Sequence, residues 1–452
     1  MIRALILTLL MLCPVAGAQI LPGPPAHILP GTLPGGLPGS LPGEPGLSGL
    51  AQQTGGALTY EVTRLEHARK LQIRLLLRRY ADAVEADPDG NPIVRGEVLV
   101  FSPTDAALAG ARAAGFSVLS DNALATLGMR IVTLGVPRGS STSRALRRLR
   151  RLDPQGTYDF NSIYMESGAG AGESTPTPSG AAPSSAAAKP VARSAGADDA
   201  IALGLIDGGV GTAQPVFKET VVHQHGCGGH AVPSAHGTEV ASLMVGRSPQ
   251  FGGAAPGAAL YAADVYCGKP TGGSVAAIVE ALAWLVSQRV PVINISLVGP
   301  PNAMLQEVVA RAVTRGVLIV AAVGNDGPAA PPLYPAAYPG VIGVTAVDAR
   351  RHVIFEAERG PQVAFAAPGA DIAAATEPDG FVKVRGTSFA APLVAGLLAT
   401  RLHELNPAAA REAVQALANS AIHLGAPGRN PIYGYGLVGA DLPAPQPLSD
   451  AD

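Results

Sequence analysis

From Ile201 onward, short continuous apolar runs alternate with longer amphipathic or small-residue stretches. Ile201–Ile206, Leu260–Val265, Val290–Ile295, Val317–Val323 and Val341–Val347 read as strands, and Phe381–Val384 leads into the helix after it. Gly237–Gly246, Ser274–Gln288, Ala303–Arg315, Ala390–Thr400 and Ala408–Leu417 read as helices. A strand that is apolar at every position is buried on both faces, so the pattern predicts a doubly wound, mostly parallel α/β sheet between two helix layers. Upstream, Tyr60–Val84 is rich in Arg and Leu and predicts a helix. It is followed by strand Gly96–Phe101, helix Asp105–Ala114, strand Phe116–Leu119, strand Met129–Val136, helix Ser143–Leu152 and strand Thr157–Tyr164. That β-α-β-β-α-β order is ferredoxin-like and predicts a small α+β domain.

Tracts that cannot pack separate these parts. Met1–Ala18 has Arg3, an apolar stretch at Ala4–Leu12 and a small-residue site at Ala16–Ala18, the plan of a secretory signal. Cys13 raises a lipoprotein signal as its rival, disfavoured because Leu12 is not small. Gln19–Gly56 repeats Leu-Pro-Gly at Leu21, Leu29, Leu33, Leu37 and Leu41 and reads as an extended spacer. Residues 167–200 are an Ala/Ser/Pro linker. The resulting division is 1–18 signal, 19–56 spacer, 57–166 small domain, 167–200 linker, 201–441 main domain and 442–452 tail.

Composition narrows the function. The 452 residues carry a formal charge of −2 and no sustained basic stripe, so nucleic-acid binding lacks its electrostatic footprint. No stretch after the signal has the length and apolarity of a membrane span.

The chemistry gathers at strand ends and helix starts of the main domain. Ser388, in Gly386-Thr387-Ser388-Phe389-Ala390-Ala391-Pro392, is placed like the N-cap of a small-residue helix, with Pro392 in its first turn. Asp207 ends the first apolar strand, and His236, in His236-Gly237-Thr238-Glu239-Val240-Ala241, opens a helix. A serine hydroxyl needs a base, a histidine supplies one near neutral pH, and a carboxylate holds the imidazole tautomer. Asn325, in Gly324-Asn325-Asp326-Gly327, follows a buried strand and offers an amide to an oxyanion.

The order Asp207, His236, Ser388 and the stretches around these residues and Asn325 resemble the subtilisin-like serine peptidases, over about Ile201–Ala440. The resemblance implies a subtilisin-like fold, endopeptidase activity on protein or peptide substrates, and a substrate-binding strand edge at Ser296, Leu297 and Gly299, with Gly324 on the opposite wall. Two departures stand out. Gly208 replaces a usual Ser or Thr, and Val298 intervenes before Gly299. The domain at Gly96–Tyr164 is similar to the propeptides of these enzymes, which makes it an expected intramolecular inhibitor and the linker the expected cut site. The family often binds calcium, but no loop here is acidic enough to assign a site, so no cofactor is expected.

In an exported chain, Cys227 and Cys267 are expected to pair, closing a loop that contains His236. A zinc site at His223, His225, Cys227 and His230 is the alternative. Two other functions fit parts of the pattern: an acyl hydrolase using the same triad, and a non-catalytic surface-binding relative. The first lacks a Gly-x-Ser-x-Gly elbow, and the second does not explain an intact triad.

Overall fold

The computed structural model describes residues 64–65, 67–166, 201–230, 232–249 and 251–442. The expected signal, spacer and linker, and the tail after 442, lie outside the described residues.

The N-terminal part begins with helix α1 over 67–79. It continues through β1 (Val84–Ala86), β2 (Pro92–Phe101), α2 (Asp105–Ala113), β3 (Ser117–Leu124), β4 (Met129–Gly135), α3 (Thr142–Leu152) and β5 (Thr157–Glu166). The expected β-α-β-β-α-β order is present, with β1 added on β2. The main sheet order is β5-β2-β4-β3, all antiparallel. Alternation along β2 sorts its side chains: Val98 and Val100 pack with Leu108, Leu146 and Leu149 of α2 and α3. Leu99 faces the other way, into the core of the main domain.

The main domain is built on seven strands: β6 (Ala202–Asp207), β7 (Val222–Gly226), β8 (Ala259–Asp264), β9 (Val292–Ile295), β10 (Leu318–Ala322), β11 (Ile342–Val347) and β12 (Val363–Pro368). Their order is β12-β11-β10-β9-β6-β8-β7, and every pairing is parallel. Helices α4 (Ala235–Val245), α7 (Thr387–Ala399) and α8 (Pro407–Ser420) pack on one face, and α5 (Val275–Ser287) and α6 (Ala303–Thr314) on the other. Leu203 and Leu205 of β6 face the first layer, while Ala202 and Ile206 face the second. Order reverses around β6, so Asp207 opens onto the crevice where doubly wound sheets bind ligands.

The edge strands β7 and β12 and the hairpin β13 (Ala370–Ala375) and β14 (Phe381–Arg385) complete the domain. None of these four is read as a strand from the apolar pattern, which takes Phe381–Val384 only as the lead into α7. The β7 segment, Val-His-Gln-His-Gly, is polar and only half-buried, as an edge permits, and β12 is rich in alanine.

The two parts share one continuous surface. The second face of the N-terminal sheet packs on α5 and α6. Asp159 and Asn161 of β5 accept the first N–H groups of α6 and α5, from Ala303 at 2.7 Å and Ala276 at 3.0 Å. Those orphan donors and the positive helix ends favour such acceptors.

Candidate active site

Asp207 is fully buried at the end of β6. Its Oδ1 accepts from the Gly208 N–H at 2.7 Å and from His236 Nδ1 at 2.9 Å. A carboxylate only accepts, so His236 carries its proton on Nδ1 and turns Nε2 the other way. His236 is the second residue of α4, whose start is capped by Ser234 Oγ on the Gly237 N–H. A side chain at Gly208 would collide with that Ser234 hydroxyl. The departure at Gly208 therefore makes room for the cap that holds His236.

Ser388 is fully buried as the second residue of α7, one position inside the helix rather than its cap. Gly386 is the cap, with φ at 142°, a value that only glycine adopts easily. The helix thus starts three residues earlier than the apolar run predicts, and Pro392 lies well inside it. Ser388 Oγ donates to the Ser296 carbonyl at 3.3 Å. Among the described residues His236 Nε2 has no hydrogen-bond partner, although its ring packs on Phe389, the neighbour of Ser388, at 5.5 Å between ring centres. Asp207 and His236 are therefore joined, and Ser388 adjoins Phe389, which packs on that imidazole, with its own hydroxyl bonded to the Ser296 carbonyl.

Asn325 follows β10, and its Oδ1 accepts the Thr387 N–H at 3.2 Å. Thr387 Oγ1 in turn accepts the Gly324 N–H at 3.2 Å. The loop after β10 is thereby tied to the start of α7, with the Asn325 amide on Thr387, the residue before Ser388.

The expected strand edge is occupied. Leu297 pairs with Glu166 and Val298 with Met165, antiparallel. On its other side β5 pairs with Gly273 and Ser274, through Tyr164 and Ile163. Val298 fills the ladder position, and the glycine falls one residue later. There a Gly299 side chain would meet the Tyr164 ring at 2.6 Å. Tyr164 is fully buried, and its hydroxyl donates to the Pro300 carbonyl at 2.6 Å. Sequence reasoning missed Glu166, Tyr164, Gly273 and Ser274; a Gly-Gly-Ser run ahead of a helix signals only a turn.

Glu166 brings a second carboxylate to the histidine: ligand-type atoms of Glu166, Asp207 and His236 lie within 4.8 Å of one another. Burial works against a charged imidazole at His236, but Asp207, Glu166 and Glu239 outweigh it and push the group up to about 10. Burial likewise raises the Glu166 carboxyl, against the pull of His236. Cys227 and Cys267 are joined in a disulfide, so Cys227 is not a zinc ligand. His223 stacks on Tyr261 and His225 on Trp284.

The sequence pattern of the subtilase family matches residues 198–436, more than half of the chain and all four of Asp207, His236, Asn325 and Ser388. The chain belongs to the subtilase family. This is a family of serine endopeptidases, and the curated relatives agree. Subtilisin Savinase of Lederbergia lenta is 35% identical over 212 residues, covering 46% of this subtilase and 77% of Savinase. Minor extracellular protease Epr of Bacillus subtilis (strain 168) is 31% identical over 209 residues, covering 45% of this chain but only 32% of Epr. Among solved structures, fervidolysin from Fervidobacterium pennivorans, described as a keratinolytic enzyme related to subtilisin, superposes with a TM-score of 0.62 at 20% identity. The superposition covers 81% of this subtilase and 63% of fervidolysin, and it establishes likeness of fold.

Proposed function

We propose that this subtilase is an exported serine endopeptidase made as a self-inhibited zymogen. Ser388 Oγ attacks the peptide carbonyl, His236 Nε2 takes its proton, and Asp207 holds the Nδ1–H and balances the imidazolium. The Asn325 amide donates to the oxyanion. Its loss is expected to cut kcat by about 10²–10³, a range measured for such a donor in subtilisin itself. The leaving amine takes the proton from His236, and water then releases the acyl group by the same steps.

The observation that carries this reading is β5. An extended peptide lies in the cleft with backbone pairs to Leu297–Val298 on one edge and Gly273–Ser274 on the other. Strand addition is how a cleft grips a peptide without regard to most of its side chains. An acyl hydrolase has no use for two strand edges. Residues 57–166 then act as the inhibitor, and the cut falls within Glu166–Asp199. Export is supported by the Met1–Ala18 pattern, by the disulfide and by the extracellular naming of Epr. The substrates are proteins or peptides, no cofactor is required, and no helix among the described residues is long and apolar enough to cross a membrane.

N-terminal sequencing of the protein and its Ser388→Ala form from a protease-deficient host tests the reading. The wild type should start within 167–199 and the variant should stay joined. Maturation of the variant at the same bond would overturn self-cleavage.

A further inference from the structure

The small net charge of the chain conceals one local excess. Helix α3 holds five arginines in eleven residues, Arg144, Arg147, Arg148, Arg150 and Arg151, and no acid. Its buried side is Thr142, Ala145, Leu146 and Leu149. Ala145, Leu146 and Leu149 seat it on one face of the N-terminal sheet, while Leu99 and the main domain lie on the other. The spacing of that buried side, shifted by two residues, puts Arg144, Arg147, Arg148 and Arg151 in one row on the opposite side of the helix. All four are exposed, and the row points away from the main domain.

Nothing within the fold uses this charge. Arg150 alone turns inward, donating to the Tyr158 carbonyl at 2.8 Å. The acids at the helix ends are engaged elsewhere. Glu85 accepts the Thr142 N–H at 2.8 Å and pairs with Arg95 at 3.0 Å, and Asp153 accepts the Tyr158 hydroxyl at 2.8 Å. Among the described residues the other four arginine side chains have no ion pair or hydrogen bond. Like charges three and four residues apart destabilise a helix, and Arg144 stands in the first turn, at the positive end of the dipole. A row kept against these costs is suited to an external anion.

The surroundings favour a phosphate-bearing surface with an apolar interior. A guanidinium grips phosphate through two parallel hydrogen bonds. Leu152, the last residue of α3, flanks the row and is 52% exposed. An apolar side chain beside basic ones fits the boundary between lipid headgroups and acyl chains. Single-stranded nucleic acid calls for aromatic side chains on which bases stack. The large exposed apolar residues described in the N-terminal part, Leu71, Leu75, Leu119 and Leu152, include no aromatic.

We propose that the arginine row of α3 is a docking surface for a bilayer of anionic phospholipid. The joined chain is held there after export, and the cut between the two parts frees the enzyme. Lipid binding stands by itself; only the release rests on the zymogen reading above.

The exported Ser388→Ala chain is sedimented with phosphatidylcholine vesicles, with and without phosphatidylglycerol, at low ionic strength. It should go down with the anionic vesicles only, and about 0.5 M salt should release it. Each arginine near such a surface contributes about fivefold in affinity, so Arg147→Gln with Arg148→Gln should weaken binding by about 25-fold. Arg147→Lys with Arg148→Lys keeps the charge and should stay within about fivefold of the parent. Arg350→Gln with Arg411→Gln removes as much charge from exposed positions of the main domain and should change binding by less than about threefold. Absence of binding to anionic vesicles, or equal loss in the two glutamine pairs, overturns the surface. Tighter binding to soluble polyphosphate or single-stranded DNA than to vesicles of equal phosphate content overturns the bilayer as the partner. The matured wild type, separated from its cut N-terminal part, should stay in solution. Its sedimentation with the vesicles would overturn the release alone, and a wild type that never cuts itself would overturn the zymogen reading but not the surface.

Discussion

Pro392 has no hydrogen to give to the Ser388 carbonyl four residues back in α7, where a helix normally places a bond. The Ser296 hydroxyl supplies it instead, donating to the Ser388 carbonyl at 3.0 Å. In return Ser388 Oγ donates to the Ser296 carbonyl. The proline thus opens an acceptor through which Ser296 grips the backbone of Ser388. Ser296→Ala in a Ser388→Ala background should remove that bond and cost about 1–3 kcal/mol in denaturant unfolding. Pro392→Ala restores the missing N–H, so the same Ser296→Ala step should cost clearly less in that background. An equal cost in both backgrounds would break the link. Gly208 is a similar exchange between neighbours: the hydroxyl it lacks is replaced in space by Ser234, which caps the helix bearing His236.

At the scale of elements, β5 in the proposed zymogen takes the place of a bound peptide and also retunes the proposed base. With Glu166 in place His236 is pushed up to about 10, so at neutral pH its imidazole is protonated and cannot accept the Ser388 proton. A histidine whose folded pKa lies above its ordinary 6.5 stabilises the folded form fully below about 6.5. That contribution is lost as pH rises through about 10. The raised Glu166 carboxyl acts in the same direction, favouring the joined form at lower pH. The joined Ser388→Ala chain should therefore resist urea better at pH 6 than at pH 10. Much of that difference should vanish with His236→Gln. A stability that is flat or rising across this range, or a difference unaffected by His236→Gln, would show that the carboxylates around the imidazole do not govern docking.

For the whole molecule, the continuous apolar runs at β6, β8, β9, β10 and β11 made the parallel sheet legible, because burial on both faces leaves no polar position to hide them. Edges β7 and β12 were not legible: one is half-wet and the other is half alanine. Asp207, His236, Asn325 and Ser388 could be picked out because each sits where a strand or helix changes state, in a distinctive local pattern. Glu166 could not, since it meets His236 across elements far apart in the chain. Packing of the N-terminal sheet on α5 and α6, and the disulfide closing the loop around His236, bring such distant groups to one cleft.

The claim under all of this is that Asp207 and His236 activate Ser388 as a nucleophile. Labelling of the matured protein with a fluorophosphonate, followed by peptide mass spectrometry, tests it most directly. The account predicts one adduct, on Ser388, formed at least about 10³-fold more slowly in a His236→Ala form matured in trans. An adduct on another residue, or labelling of Ser388 at the same rate without His236, would contradict it.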